Sequence, residues 1–416
     1  QATYCVYPSV GVGVLLVASV VVTMRSTSEP CLRVAATGTS AASSAPAVKA
    51  PLRIFVYDLP ARFTNDTIAP NIYYHPMYDI EVALPRFLSR HPEFTTTNPE
   101  EADWYLLPIY ISRLMQHNKS ERKNTRMKNG RDAIKEAVED VSTRYPYWRT
   151  RRQRHVLAIT YDVSRCLFGS TNSSLWQAFA EVLVLTHLGD RHPRYFRDNN
   201  NLGSCVSAAH DLVIPPLHSV VLSSSRVVLD PMAIWPQTRT RDILASFIGT
   251  IRPNTSGPDD RYSRGVRQAL SRLYAGDRDM KIRPNLEPSA YITTLYRSNF
   301  CLAPGGWQTW SPRAYIAIAL GCVPVFFFAP GDVQLPWDDT LDYRDFAIFL
   351  SHGDDEGKMQ VLRDLKSTLL AVDDARLRQL QLRLFQVREF FQWQLDGGDS
   401  GAMRKLMESL QRRRRP

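Results

Sequence analysis

The sequence predicts an α/β protein with parallel sheets, because apolar strands alternate with helical segments along most of its 416 residues. The clearest unit covers residues 298–328. An apolar strand leads into a Pro-Gly-Gly turn, a short helix follows with Ser311 as N-cap and Pro312 at its first position, and a second apolar strand comes after Gly321. Strands that are apolar on both faces are typical of a parallel sheet covered by helices.

The remaining elements repeat this alternation. Predicted strands cover residues 53–57, 104–110, 155–160, 212–214, 244–247, 299–302 and 323–328. Predicted helices cover residues 78–90, 130–143, 174–188, 261–274, 312–320, 357–371, 373–395 and 402–415. Two parallel sheets, with the boundary between them near residues 230–240, would accommodate this pattern.

The N-terminus differs from this globular part. Residues 6–24 contain no charged side chain and are as long as a membrane-spanning helix, so we predict an anchor over residues 1–25. The core of a signal peptide is the alternative. Residues 26–50 are rich in Ser, Thr and Ala without periodicity, which is typical of a flexible stem.

Six cysteines and four glycosylation triplets fit a secretory compartment. We predict a Cys301–Cys322 disulfide, because both residues lie at strand ends that flank one helix, and Cys166–Cys205 by elimination. Buried free thiols are the alternative. The triplets begin at Asn65, Asn118, Asn172 and Asn254.

The chain carries a formal charge of +10, with basic clusters within residues 119–131 and 149–154. Such clusters attract an anionic sugar polymer or nucleotide phosphates, or are simply solvated faces. A nucleic-acid partner is not predicted, because no recognition motif accompanies the charge. No Cys or His spacing suggests zinc. The Asp277-Arg-Asp279 triplet is interpreted as a solvated turn, so no metal is predicted.

The Pro-Gly-Gly turn is the first candidate binding site. Backbone N–H groups and the helix dipole favour a phosphate at a helix N-terminus. Arg313 lies at the start of this helix, and Gly305, Gly306 and Ser311 precede it. An ordinary strand-helix-strand unit with a glycine turn is the alternative interpretation.

Several motifs resemble the exostosin-like glycosyltransferases, glycosyltransferase family 47, in one order over residues 51–350. The central ones are Phe300-Cys301-Leu302, Pro304-Gly305-Gly306, Ser311-Pro312-Arg313 and Gly321-Cys322-Val323-Pro324-Val325. Further similar segments are 53–63, 98–112, 210–216, 247–249, 262–270 and 335–351. The resemblance implies the GT-B architecture, two Rossmann-like domains that face a cleft, behind an N-terminal membrane anchor and stem.

Applied to this chain, the resemblance implies an acceptor-side domain over residues 51–230, a nucleotide-sugar-binding domain over 231–395 and a basic C-terminal helix over 396–416. It implies a single-pass type II protein of the Golgi membrane with a lumenal catalytic body. The donor would be a UDP-sugar, a co-substrate rather than a tightly bound cofactor, and the acceptor a glycan. An oligomer with itself or with a related transferase stays open.

The resemblance also implies functional residues. Arg267 matches a family arginine, and Arg252 follows a family Phe-Ile-Gly motif, so both join Arg313 as predicted contacts to the donor diphosphate. The general base is sought at the carboxyl ends of strands, where Asp162 and then Asp58 are the candidates. Turn aspartates are the alternative for both.

One position departs from the family. Three residues after Arg313 the family typically has a carboxylate for donor hydroxyl groups, but this chain has Ile316. The main hypothesis is an inverting glycosyltransferase that moves a sugar from a UDP-sugar to a polysaccharide or glycoprotein glycan in the Golgi lumen. The alternatives are a catalytically silent member that binds glycan or partners an active transferase, and a scaffold without a nucleotide site.

Overall fold

The structure is a computed structural model that describes residues 51–64, 76–116, 123–191, 205–217, 241–252, 262–351, 355–393 and 400–414. Residues Pro51–Pro416 form one compact unit. The predicted anchor, stem and sheet changeover near residues 230–240 lie outside the described residues. Within the described ranges, no helix combines the length and the apolar character that crossing a bilayer would require.

The first sheet contains five parallel strands in sequence order. They are β1 (Ile54–Val56), β2 (Trp104–Leu107), β3 (His155–Ala158), β4 (Leu183–Thr186) and β5 (Leu212–Val213). The helices of this half are α1 (Ala61–Thr64), α2 (Ile80–Arg90), α3 (Ile111–Gln116), α4 (Lys123–Arg144), α5 (Tyr147–Thr150) and α6 (Ser174–Ala178). The register places Val156 of β3 opposite Leu106 and Leu183.

The second sheet is also parallel, with the strand order β10-β9-β8-β6-β7. Its strands are β6 (Ile243–Ile248), β7 (Met280–Arg283), β8 (Ser298–Leu302), β9 (Val323–Phe326) and β10 (Ile348–Phe349). The following helices are α7 (Val266–Tyr274), α8 (Pro288–Arg297), α9 (Pro312–Ala319), α10 (Asp355–Leu370), α11 (Asp374–Val387) and α12 (Gly401–Arg412). Two parallel sheets with helices confirm the predicted α/β class and its two Rossmann-like halves.

Three details of the predicted elements are wrong. The helix predicted over residues 174–188 ends at Ala178, and β4 follows it, because the run Val182–Leu185 is apolar and buried on both faces. The structure also adds two strands, β7 and β10, and four helices, α1, α3, α5 and α8, which the sequence pattern did not indicate. Finally, the helix predicted over 373–395 changes at Arg388 into a 3-10 turn, Arg388–Phe391.

One hydrophobic cluster joins the two halves. It contains side chains from both sheets and from the C-terminal segment, among them Trp104, Leu106, Phe326, Phe328, Phe391 and Leu406. Separate clusters fill the other face of the first sheet and of the second. Because burial of apolar area is the main stabilising contribution, the shared cluster holds the halves together.

Helix α12 returns to the first sheet. Its Leu410 carbonyl accepts a 3.1 Å hydrogen bond from the indole Nε1 of Trp104 in β2, and Arg414 pairs with Asp103 at 2.5 Å. Trp393 likewise donates to the Pro215 carbonyl at 2.8 Å. These contacts hold the C-terminal segment, which follows the second sheet, against the first sheet.

We expect Trp104→Phe to lower the free energy of unfolding by about 1–3 kcal/mol, because the buried Leu410 carbonyl loses its donor. Hydrogen exchange should show the largest loss of protection in α12. Trp176→Phe is the control, since that indole makes no hydrogen bond to described residues. Equal protection of α12 in both variants would contradict the idea that the Trp104 hydrogen bond holds α12 against the first sheet.

The structure pairs Cys166 with Cys205 and Cys301 with Cys322, as the sequence predicted. The Cα atoms are 4.9 Å apart in the first pair and 5.7 Å apart in the second. The second disulfide joins β8 to the residue before β9 and therefore encloses the glycine turn and α9 in one covalent loop. Disulfides of this kind fit an oxidising compartment.

Candidate active site

The loop between β8 and α9 contacts the carboxyl ends of two strands of the first sheet. Gln308 Nε2 donates to the Asp162 carbonyl at 2.9 Å, and Trp310 Nε1 donates to Asp162 Oδ1 at 3.0 Å. The Thr309 hydroxyl donates to the carboxylate of Asp190. Asp162 follows β3 and Asp190 follows β4, so the loop extends from one half to the other at the edge where parallel sheets bind ligands.

The glycines give this loop its sharp turn. A Cβ atom at Gly305 would collide with the Gln308 carbonyl oxygen, so a side chain does not fit there. The N–H of Gly306 donates to that same carbonyl at 2.8 Å. Gly306 was predicted as a backbone donor to phosphate, but in this structure the loop itself uses that donor.

Arg313 turns from the start of α9 towards β6. Ser311 caps the helix, and its Oγ accepts from the backbone N–H of Arg313 and, at 3.2 Å, from Nη1. Arg313 Nε donates to the Ile248 carbonyl at 2.7 Å, and the guanidinium carbon lies 5.6 Å from the centre of the Phe247 ring. A Cβ at Gly249 would overlap the guanidinium, so glycine at this position makes room for Arg313.

Arg267 approaches the same ring from α7. It is 2% exposed, and its guanidinium carbon lies 5.3 Å from the centre of Phe247. Nη1 donates to the Tyr262 hydroxyl at 2.6 Å, and Nη2 donates to the Pro304 carbonyl at 3.0 Å. Nε is buried without a hydrogen-bond partner among the described residues. Within the same ranges, neither Arg267 nor Arg313 has an acidic partner.

These two cations affect each other. Burial, and then the positive charge of Arg313, lower the pKa of Arg267 to about 10. Arg267 therefore stays charged at neutral pH. Two guanidinium groups around one ring, with no carboxylate among the described residues to balance them, form a site that favours an anion.

Arg252 lies apart from this pair. It is exposed, and its guanidinium carbon lies 4.9 Å from the centre of the Tyr262 ring and 4.7 Å from that of Trp307. The structure thus brings together two of the three predicted arginines and places the third on an aromatic surface nearby.

Asp162 is a partly buried carboxyl group. Its Oδ1 accepts hydrogen bonds from Trp310 and, at 3.3 Å, from the Tyr78 hydroxyl, whereas Oδ2 accepts none from the described residues. Burial raises the pKa of Asp162 to about 6, although both hydrogen bonds act to lower it. The group is therefore mainly ionised at pH 7 and has one oxygen available for a proton.

Asp58 has a different environment. It is exposed after β1, and its backbone carbonyl accepts from Arg144. Nothing in the described ranges links it to Asp162 or to the two arginines. Both aspartates remain predictions for the general base, and their surroundings differ in that only Asp162 contacts the loop from the second half.

Two buried carboxyl groups were not predicted. Asp190 is fully buried, and burial raises its pKa to about 7. Burial also raises the pKa of Glu81 to about 7, and Glu81 accepts four hydrogen bonds from Ser112 and Thr160 at 2.7–3.0 Å. Glu81 thereby fixes the backbone just before Asp162. Asp190 follows β4 as Asp162 follows β3, and recognising that strand would have indicated it.

Two other sequence features have local explanations. Lys366 Nζ lies 2.8 Å from a carboxylate oxygen of Asp277 and of Asp279, which together form a turn before β7. Over the described ranges, no group of three or more His, Cys, Asp or Glu residues is arranged to hold a metal ion. Ile316 is buried in an apolar cluster with Ile248, Leu295 and Leu320.

Asn172 is the one predicted glycosylation site that falls in the described part of the chain. It is exposed in the segment before α6, where an oligosaccharide would meet no packed neighbour. Asn65, Asn118 and Asn254 lie outside the described residues.

The chain is similar to several known proteins. Three curated relatives from Arabidopsis thaliana align along most of their length. The probable glucuronoxylan glucuronosyltransferase IRX7 is 30% identical over 80% of this chain and 71% of the relative. A second probable glucuronoxylan glucuronosyltransferase of that plant is 28% identical over 87% and 73%, and the probable β-1,4-xylosyltransferase IRX10L is 26% identical over 73% and 68%.

Solved structures are more remote. Sucrose-phosphate synthase from Thermosynechococcus elongatus aligns with 86% of this chain and 99% of that chain, at 13% identity and a TM-score of 0.41. The Exostosin GT47 domain profile, in contrast, matches residues 48–365. The chain therefore belongs to the exostosin GT47 family of glycosyltransferases.

Proposed function

We propose that this glycosyltransferase moves a sugar from a UDP-sugar to a hydroxyl group of a polysaccharide or glycoprotein glycan, with inversion at the anomeric carbon. The names of the relatives support a polysaccharide acceptor, because they include probable glucuronoxylan glucuronosyltransferases and a probable β-1,4-xylosyltransferase. Both disulfides, the exposed Asn172 and the predicted anchor support the Golgi lumen as compartment.

The observation that carries the proposal is the pair of guanidinium groups around Phe247. A buried cation without a counter-charge is unfavourable, so Arg267 and Arg313 favour a ligand with two negative charges in a small volume. A diphosphate fits that requirement. Arginine also donates two parallel hydrogen bonds to phosphate oxygens, and the Nε of Arg267, unpartnered among the described residues, is one such donor.

The same two side chains would act in the reaction. As the bond from the anomeric carbon to the phosphate oxygen breaks, negative charge develops on the leaving UDP, and fixed positive charge stabilises it. The acceptor oxygen forms the new bond from the opposite face. Its proton passes to Oδ2 of Asp162, whose Oδ1 is already held by Trp310 and Tyr78.

Binding of UDP to the full chain tests the diphosphate contacts. We expect Arg313→Ala to weaken UDP binding by about 100-fold or more, because charge-assisted hydrogen bonds to phosphate are lost. Isothermal titration calorimetry measures the affinity. Arg272→Ala is the matched control, since Arg272 lies exposed on the same helix as Arg267. Undiminished affinity in the Arg313 variant would remove that residue from the site.

A catalytically silent member is the second candidate, and the buried Ile316 favours it. An isoleucine among apolar neighbours cannot accept the hydrogen bonds that a carboxylate would take from donor hydroxyl groups. A screen of UDP-glucuronic acid, UDP-galactose, UDP-xylose and UDP-arabinose for hydrolysis and transfer separates the candidates. UDP binding without turnover of any donor would favour the silent member, and no UDP binding at all would favour a scaffold.

A further inference from the structure

The glycine loop carries an exposed tryptophan that the proposed reaction does not use. Trp307 is 47% exposed, and it is the one aromatic among the large apolar side chains that the described ranges leave exposed. An exposed indole loses hydrophobic stabilisation, and such side chains mark binding sites more often than isolated aliphatic ones do.

Its neighbours hold this indole in place. The Tyr262 ring lies edge-on to it, with the ring centres 5.1 Å apart, and the Arg252 guanidinium lies 4.7 Å from its centre. Arg252 has no acidic partner among the described residues. A guanidinium next to an aromatic ring can still present its planar N–H groups to a carboxylate.

Trp307 also lies, along the sequence, between two residues that are close to the two parts of the proposed site. It follows Gly306, where a Cβ would lie 3.5 Å from Arg267 Nη2, and precedes Gln308, which binds the Asp162 carbonyl. A sugar acceptor must approach the anomeric carbon between the diphosphate and the general base. Trp307 borders a cavity next to this loop, lined also by Gly305, Thr309 and Phe328.

We propose that Trp307 and Arg252 form a subsite for the acceptor glycan, and that this subsite takes a sugar residue with a carboxylate group. The apolar face of the sugar ring stacks on the indole, and the carboxylate accepts hydrogen bonds from Arg252. The proposal rests on the proposed function, because it assigns the acceptor of that transfer. It also gives Arg252 a role other than the predicted contact with the donor.

The position favours an acceptor sugar over the uracil ring of the donor. The next residue along the loop, Gln308, donates to the Asp162 carbonyl, so the loop that carries Trp307 is linked to the side from which the acceptor hydroxyl arrives. Arg252 supplies a full positive charge, which a neutral base does not require and a carboxylate does.

The test uses the full chain labelled with 5-fluorotryptophan, with the Trp307 fluorine resonance assigned from Trp307→Phe. Hexagalacturonate is the acidic probe and xylohexaose the neutral probe, each added at saturating UDP. We expect hexagalacturonate to shift the Trp307 resonance, and Trp307→Ala and Arg252→Gln each to weaken its binding by about tenfold or more. UDP affinity should change less than about twofold. Leu370→Ala, at an exposed leucine, is the control.

Three results would overturn the subsite. They are an unshifted Trp307 resonance, equal affinity for xylohexaose, and a loss of UDP affinity in Trp307→Ala as large as the loss of glycan affinity. The last result would make the surface a platform for the uracil ring. If the wild-type chain binds hexagalacturonate through Trp307 but does not bind UDP, the proposed function fails and the glycan subsite stands.

Discussion

Asp162→Asn is expected to lower kcat by about 10²–10⁴-fold, because an amide cannot accept the proton of the acceptor hydroxyl. The asparagine oxygen can still accept the hydrogen bond from Trp310, so the loop from the second half should stay in place. We therefore expect UDP affinity to be unchanged. Initial rates at saturating donor, measured with the donor and acceptor that the screen identifies, give the comparison.

The pH dependence of the rate is a second test of Asp162 as the general base. Burial raises the pKa of Asp162 to about 6, and the base must be ionised to accept a proton. The rate should therefore be nearly constant above pH 7 and fall about tenfold per pH unit below pH 6. In Asp162→Asn this acidic limb should disappear.

Asp58→Asn is the matched comparison, because Asp58 also follows a strand of the first sheet but is exposed. If Asp162 is the base, Asp58→Asn should keep kcat within about threefold of the wild type. A large loss of kcat in Asp58→Asn together with a normal rate in Asp162→Asn would move the base to Asp58.

The features that the sequence predicted well are local. The turn at Gly305, the cap at Ser311 and the direction of the chain into α9 depend on residues within one short segment. Arg267 was indicated by the resemblance to a family, and Asp162 by its place at the carboxyl end of a predicted strand. Their contacts with Phe247 and Trp310 join residues that are far apart in sequence.

The features that the sequence did not predict depend on packing between distant segments. The burial of Asp190 depends on the loop that meets it from the other half, and Thr309, its partner, is far away in sequence. The sequence pattern predicts a helix where β4 lies, because an apolar run of this length fits either element. Without that strand, nothing in the sequence indicates that Asp190 lies at a carboxyl end. The exposure of Trp307 likewise cannot be read from its position in a loop.

Asp211→Ala is expected to lower the free energy of unfolding by about 3–5 kcal/mol, because it leaves the charge of Arg165 buried and uncompensated. Both side chains are at most 2% exposed, and Arg165 Nε donates to the two oxygens of Asp211 at 2.7 and 2.8 Å. Nη1 and Nη2 of Arg165 donate to the carbonyls of Phe179 and Val182. Removal of the Asp211 carboxylate therefore takes away the only negative charge among the described residues of this buried group of hydrogen bonds around Arg165.

This network lies at the turn that positions the proposed base. Arg165 is three residues after Asp162, and its neighbour Cys166 is fixed by the disulfide to Cys205. We therefore expect Asp211→Ala to reduce kcat even at temperatures where the chain stays folded, because the turn can move. Urea unfolding followed by far-UV circular dichroism, without reductant, measures the stability.

The control for this prediction is Asp242→Ala. Asp242 pairs with Arg297, and both side chains of that pair are 52% exposed, so its removal should change stability by at most about 1 kcal/mol. Similar losses of stability in the two variants would contradict the role of burial. Normal kcat in a destabilised Asp211→Ala protein would show that the Arg165–Asp211 pair is not needed to position Asp162.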